Sequence, residues 1–388
     1  MIVRRRTVKA ALAATLVLAA AGCSSGVGTA EPPESATPDR SVGRSPTEPS
    51  VSESPPPSEG SVEVIRTVAT DLTSPWGLAP LPEGDLLVSS RDEATITRVD
   101  ADSGELTAVG EVPGVEPAGE GGLLGIALSP EYAADRMIYA YFTSASDNRV
   151  VRMRYDPDEP EGERLGAPDT VFRGIPKGIV HNGGRIAFGP DGMLYVGTGE
   201  AGRPDLSRDP ESTGGKILRL TPDGEPAPDN PSPDSPVLST GHRNVQGLAW
   251  DAHQRLFASE FGQDTWDELN AIEPGGDYGW PEAEGRSDDG TFVDPVEQWP
   301  TDVASPSGIA LVAGSVWMAG LRGERLWRVP LDGIEPAGAP QAFLQGEYGR
   351  LRTVAAAGGD RLWLVTGNTD GRGDPEDDDD RILELRVR

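Results

Sequence analysis

The chain has 388 residues, a formal net charge of −29, three histidines and one cysteine. Such acidity argues against nucleic acid or an anionic membrane surface as a partner. A lone cysteine excludes an intramolecular disulfide, and so little Cys and His leaves no room for a zinc or copper centre.

The first segment does not read as fold. Residues 1–22 carry Arg4, Arg5, Arg6 and Lys9, then the apolar run "AALAATLVLAAAG", and lead into Cys23. This is the pattern of a secretory signal peptide, and the apolar run is too short for a comfortable membrane span. "AAGC" followed by "SSG" is similar to a bacterial lipobox, in which Cys23 is lipidated and becomes the mature N-terminus. The alternative is a plainly secreted protein. Residues 23–61 are mostly Ser, Pro, Glu and Thr, too polar to offset their ordering entropy, and read as a disordered tether. The expected location is the extracellular face of the membrane, held only through the N-terminal lipid, or the medium.

Residues 62–388 suffice for one large domain. An apolar residue followed by Ala recurs six times in similar settings: Leu78–Ala79, Ile126–Ala127, Ile186–Ala187, Leu248–Ala249, Ile309–Ala310 and Val354–Ala355. Each sits on a short apolar strand, followed by a turn rich in Gly, Pro or Asp and a second apolar strand. A third strand usually follows, as in "KILRLTPDG" or "LWRVPLDG". Six such units without helical periodicity predict an all-β, six-bladed β-propeller. "SVEVIRTVATDL" precedes the first repeat and is expected to give the last blade its outer strand, closing the ring. A β-sandwich would not predict six copies of one unit.

A propeller places chemistry in the loops at one end of its channel. His181 opens "HNGGRIAFGPDGMLYVGTGEAG", just before the third inner strand, where it is either a proton acceptor or a polar turn residue. Arg243, Asn244 and Gln246 stand at the matching place of the fourth repeat, Arg322 in the fifth, Arg350 and Arg352 in the sixth. Four guanidiniums around one channel repel unless an anion sits among them, and their planar forks suit a ligand with several carboxylates. The alternative is that each pairs with a nearby Asp or Glu. "SEFGQDTWDELNAIEPGGDYGWP" offers the oxygen ligands Ca²⁺ prefers, or is a solvated acidic loop. The late run "DGRGDPEDDDD" is expected to be mainly a solvated turn, or to take up Ca²⁺ opportunistically. No nucleophile elbow, zinc-protease, phosphate-loop or dinucleotide motif is present where it could act.

At "HNGGR", "GPDGMLYVGTGEAG", "GHRNVQGLAW", "EFGQDTWDELN" and "GGDYGWP" the chain resembles the soluble quinoprotein sugar dehydrogenases. These are glucose and aldose dehydrogenases that use pyrroloquinoline quinone (PQQ), and the family fold is a six-bladed propeller. The resemblance implies PQQ and Ca²⁺ as cofactors, an aldose substrate oxidised at the anomeric carbon to a lactone, and an external electron acceptor. It matches His181 to the general base and Glu200 to the carboxylate that orients it. Arg243, Asn244, Gln246, Arg350 and Arg352 match cofactor contacts. Gly262 and Gln263 match the carbonyls holding the cofactor's Ca²⁺, and Glu268 and Tyr278 match a second, structural Ca²⁺ site. Two positions depart from the family pattern. Glu120 stands where a cofactor-contacting Gln is usual, which is unfavourable beside an anion unless an arginine or Ca²⁺ compensates it. Arg322 stands in place of a Lys near the quinone. Two other readings remain open at this stage: a propeller binding module that has lost its cofactor, and a metal-dependent lactonase. The short interblade loops favour a broad aldose preference.

Overall fold

The computed structural model describes residues 56–287 and 289–388. The leader, Cys23 and most of the tether lie outside them. The described chain is nearly all strand, with one four-residue helix (Tyr132–Asp135) and one 3₁₀ turn (Pro204–Ser207).

The strands form six sheets, the six blades expected. Their innermost strands are Pro75–Pro80, Leu123–Leu128, Ile186–Phe188, Val245–Trp250, Pro306–Val312 and Leu351–Gly358. Each inner strand pairs antiparallel with the next strand in sequence, because a short turn joins them. The sixth blade is assembled from both parts of the chain. Its strand Ile382–Val387 pairs with Arg361–Thr366 on one side and with Val62–Ala69 on the other. Val62 lies opposite Val387, and Ala69 opposite Ile382. Arg66 and Arg361 both reach Glu384 at 2.9 Å, adding a polar clasp to this seam. The anticipated closure of the ring by the first strand is what the structure has.

Neighbouring blades are tied near the channel by hydrogen bonds. Ser89 Oγ donates to Leu124 O at 2.6 Å, Ser259 Oγ to Ser307 O at 2.6 Å, and Thr353 Oγ1 to Trp76 O at 2.6 Å. Gly125 N donates to Gly184 O at 3.0 Å, and a Cβ on Gly125 would stand 2.3 Å from that oxygen, so only glycine allows the approach. Between the blades lie apolar clusters in which Leu86, Leu87, Ile96, Leu123 and Ile138 are fully buried. Each such side chain contributes roughly 1.5–3 kcal/mol of hydrophobic stabilisation.

All inner strands run in one direction, so the ring has two distinct faces. The apolar–Ala pairs of all six repeats line one cavity of about 430 Å³ at the face where these strands end, here the lower face. The periodicity visible in the sequence is therefore the wall of the lower channel. Val62, opposite Val387, sets the start of the first strand at this lower rim. Just before it, Ser61 N donates to Arg388 O at 3.0 Å, and Gly60 N to Gln341 Oε1 at 2.8 Å.

Candidate active site

Where the inner strands begin, the upper face holds a second cavity of about 410 Å³. His181, Glu120, Arg243, Gln246, Arg322, Arg350, Arg352, Gly262 and Gln263 all line it, brought together from blades two to six as the sequence requires. Asn244 and Glu200 stand behind this wall. Glu268 and Tyr278 lie deeper in the fourth blade and do not line it.

His181 precedes its strand in the left-handed region, at φ 55°. Its N–H donates to Glu120 Oε2 at 2.8 Å and its carbonyl accepts from Ala201 N at 2.9 Å. Gly199 runs directly behind it, where a Cβ would come 2.0 Å from the His181 carbonyl oxygen. The ring is thus fixed from both ends. Nδ1 lies 2.5 Å from Glu200 Oε1, and Glu200 is almost wholly buried, so the carboxylate keeps the proton on Nδ1. Nε2 has no hydrogen-bond partner among the described residues and is the basic nitrogen of a residue lining the cavity. Glu200 N donates in turn to Arg243 O at 2.9 Å, tying the dyad to the next blade.

The fourth blade repeats this arrangement in closed form. His242 Nδ1 is 2.6 Å from Glu260 Oε1, and Nε2 is 2.8 Å from Ser239 Oγ. Ser239 and His242 are fully buried, so this Ser–His–Glu array meets no substrate and serves structure. Glu260 Oε2 accepts the Arg243 N–H at 2.7 Å and so sets that arginine at the cavity wall. His253 lies exposed on a lower-face turn.

Six arginines line the cavity (91, 243, 322, 350, 352 and 372) against three carboxylates, Glu120, Asp267 and Asp370. Asp370 Oδ2 accepts from Arg350 at 2.8 Å and from Arg352 at 2.9 Å. Burial alone would raise the Asp370 carboxyl, but Arg352 and Arg350 hold it below its ordinary value. Arg352 also donates to Gln246 Oε1 at 3.0 Å, and burial brings its guanidinium down to about 10. Asp267 is pushed up to about 6 by burial. Arg243 and Arg322 make no ion pair among the described residues. Local pairing therefore accounts for two of the four arginines singled out from the sequence, and leaves two free.

One reading from the sequence needs refinement. The run "DGRGDPEDDDD" is exposed through its middle, as expected of a solvated turn, but its two ends are buried. Asp370 is buried among the arginines, and Asp380, fully buried, accepts from Thr366 Oγ1 (2.8 Å), Asn368 N (2.6 Å) and Thr369 N (3.1 Å). From the same run Arg372 reaches across the mouth to Glu120 Oε1 at 2.8 Å. The compensation that Glu120 requires is thus supplied by a residue the sequence reading left aside. Arg91 and Trp76 also line the cavity without having been singled out, as do Asp267 and Asp370, which the sequence offered only within acidic stretches. Arg91 had a signal: it follows the second strand of its blade as Arg322 does in the fifth.

Several buried polar atoms beside the cavity lack any partner: Arg243 Nε, Arg350 Nε, Asn244 Nδ2 and Glu200 Oε2. Three of the four are donors, and stranded buried donors are costly unless an acceptor comes to them. They fit a ligand with several carboxylates. For a cation, no cluster of three or more His, Cys, Asp or Glu exists among the described residues. Backbone oxygens are available instead. Glu284 Oε1 gathers the N–H groups of Gln263, Asp264, Thr265 and Trp266 at 2.6–3.1 Å, and Asp267 Oδ1 takes that of Gly262 at 2.9 Å. The carbonyls of Gly262 and Gln263 accept no hydrogen bond among the described residues, which leaves them fit to ligate Ca²⁺. Glu268 Oε1 accepts from Gly285 N at 2.7 Å, while the Tyr278 hydroxyl donates to Ala271 O at 2.6 Å. Their side chains are linked only through Asn270, Glu260 and His242, which stacks on Tyr278.

The fold and site can be set beside known proteins. The PQQ-bound aldose sugar dehydrogenase of Streptomyces coelicolor is 76% identical, with a TM-score of 0.85 over 86% of this chain and 100% of that one. An uncharacterised protein of Synechocystis is 33% identical over 304 residues, covering 66% of this chain and 72% of its own. Quinoprotein glucose dehydrogenase B of Acinetobacter calcoaceticus is 31% identical over 260 residues, 59% of this chain and 54% of the enzyme, so the match spans about half of that protein. Residues 72–374 match the family described as glucose/sorbosone dehydrogenase, a span that contains every residue of the cavity wall. The chain belongs to the glucose/sorbosone dehydrogenase family.

Proposed function

We propose that this protein is a PQQ- and Ca²⁺-dependent dehydrogenase that oxidises aldoses at the anomeric carbon to lactones and passes the electrons to an external acceptor. The observation that carries the reading is the conjunction of a carboxylate-aligned His181 with unpaired guanidiniums and stranded donors around one cavity. Arg243, Arg322, Arg350, Arg352, Asn244 and Gln246 would hold the cofactor's carboxylates and carbonyls, and the carbonyls of Gly262 and Gln263 its Ca²⁺. When bound, PQQ supplies an ortho-quinone that accepts a hydride equivalent, polarised by the metal.

His181 Nε2 takes the proton of the anomeric hydroxyl at hydrogen-bond reach. Glu200 keeps Nδ1–H oriented and stabilises the imidazolium that forms, much as the buried carboxylate does in hydrolase triads. The hydrogen bond from Glu200 N to Arg243 O and that from His181 N to Glu120 hold the base in place during the transfer. Glu120 does not argue for a disabled site, because Arg372 neutralises it.

We further propose residues 1–22 as the exported leader, Cys23 as the lipidated residue, 23–61 as a tether and 62–388 as the catalytic domain. The test of function is dye reduction by the purified protein with several aldoses, titrated with PQQ and Ca²⁺. Turnover that needs both and disappears with EDTA is the expected result. No turnover and no PQQ binding would overturn the reading.

A further inference from the structure

Arg185 is 9% exposed and belongs to neither the proton-transfer dyad nor the cavity wall. It leaves the third blade and crosses the channel axis. Nε donates to Gln246 O in the fourth blade at 2.7 Å, and Nη2 to Thr353 Oγ1 in the sixth, the opposite blade, at 3.0 Å. Its guanidinium carbon lies 4.4 Å from the ring centre of Trp76 in the first blade, and that of Arg352 lies 6.0 Å from the same ring. Trp76 and Arg352 both line the upper cavity, whereas Arg185 lines the lower one. One indole therefore separates Arg185 from the upper cavity.

Among the described residues Arg185 makes no ion pair. Burial, and after it the nearby Arg352, lower its guanidinium to about 9. Keeping an unpaired cation at the centre of the ring opposes stability, since both desolvation and like-charge repulsion act against it. The chain carries 63 Asp and Glu residues and places none of them here. A cation that is held by neutral acceptors keeps its field undiminished, and in a medium of low dielectric that field reaches the cavity above.

We infer that Arg185 is a positioning residue for charge: an uncompensated cation beneath the floor of the upper cavity that favours anionic occupants, and most of all their reduced form. This rests on the reading that the cavity holds a quinone. Two-electron reduction of a quinone adds negative charge to the site to the extent that protons do not follow. Arg185 then raises the cofactor's midpoint potential as well as its affinity, without touching the reacting atoms.

The test uses the full chain with PQQ and Ca²⁺, comparing Arg185→Met, Arg185→Lys and Arg185→Gln with the parent. The readouts are the PQQ affinity by titration, the midpoint potential of the bound cofactor by spectroelectrochemistry, and the melting temperature. R185M is expected to bind PQQ about tenfold more weakly and to lower the potential by about 30 mV, the equivalent of a tenfold change for a two-electron couple. R185K is expected to keep the parent potential. R185Q retains a donor at the position of Nε, for Gln246 O, and is the neutral variant to read if R185M does not fold. A folded neutral variant with parental affinity and potential would overturn the inference. So would an R185K potential as low as that of R185M. Failure of the parent itself to bind PQQ would instead strike the functional reading.

Discussion

Arg372 Nη1 stands 2.8 Å from Glu120 Oε1 across the mouth of the upper cavity, and the other oxygen of Glu120 holds the backbone N–H of His181. A residue of the sixth blade thus steadies the base of the third through a carboxylate of the second. The pair also fixes the order in which two substitutions act. Arg372→Gln leaves Glu120 uncompensated beside an anion site and is expected to weaken PQQ binding about fivefold, the upper range for a partly exposed ion pair. Glu120→Gln in that background is expected to recover the loss. A double-mutant cycle read by PQQ titration checks it, and independent effects of the two changes would refute the coupling.

Removing the base has a different signature. His181→Asn is expected to lower kcat roughly 10²- to 10⁴-fold, the usual worth of a placed general base, with PQQ affinity within a few-fold of the parent. Glu200→Gln keeps an acceptor for Nδ1–H but loses the charge that stabilises the imidazolium, so its loss is expected to be smaller. Steady-state kinetics with saturating PQQ measure both. Unchanged turnover in H181N would remove His181 from the chemistry.

Asp370 bears on stability. Its single oxygen serves two buried guanidiniums, so Asp370→Asn removes the counter-charge of both, at a cost of about 3–5 kcal/mol. Because the folded carboxyl lies below its ordinary value, its contribution is present above that value and is lost as pH falls through the folded one. Melting curves are expected to show the widest gap between parent and variant near neutrality, narrowing in acid below the ordinary carboxylate range. A gap that does not change with pH would assign the effect to packing.

Glu268 behaves in the opposite sense. It faces Glu260 across the strand pair, with Asn270 Nδ2 donating to both at 3.0 and 2.9 Å. Burial, and then Glu260, push its carboxyl up to about 8. Stability in EDTA is therefore expected to fall as pH rises from about 4.5 through about 8, and to fall less in Glu268→Gln. If the fourth blade holds Ca²⁺ through Glu268, the ion raises the melting temperature of the parent at pH above 8 and not that of E268Q. No rise in the parent would leave Glu268 as a partner in a shared-proton pair and not a ligand.

The blades were legible because one unit is written six times, and its most regular feature, the apolar residue before Ala, is the part that repeats around the lower channel. His181 and the arginines at strand ends were legible for the same reason, since matching ends of successive blades must converge. What escaped lies in connections of unequal length. Asp370 and Arg372 belong to a run of acidic residues and glycines whose composition is that of exposed loops, and only the packing of that run over the sixth blade makes its first aspartate an internal counter-ion. Glu284 holds four consecutive N–H groups from eighteen or more residues away, a distance at which no local pattern points to it. Arg185 sat in plain view within "HNGGR" but reads there as a strand residue, because its lack of a counter-charge is a property of the whole ring.

The first strand enters the ring at the lower rim, and Gly60 and Ser61 just before it are still held there, on the face remote from the upper cavity. A fastening made through this end would reach the domain from beneath and would not itself cross the upper mouth. Sugars and electron acceptors then meet an unobstructed hemisphere.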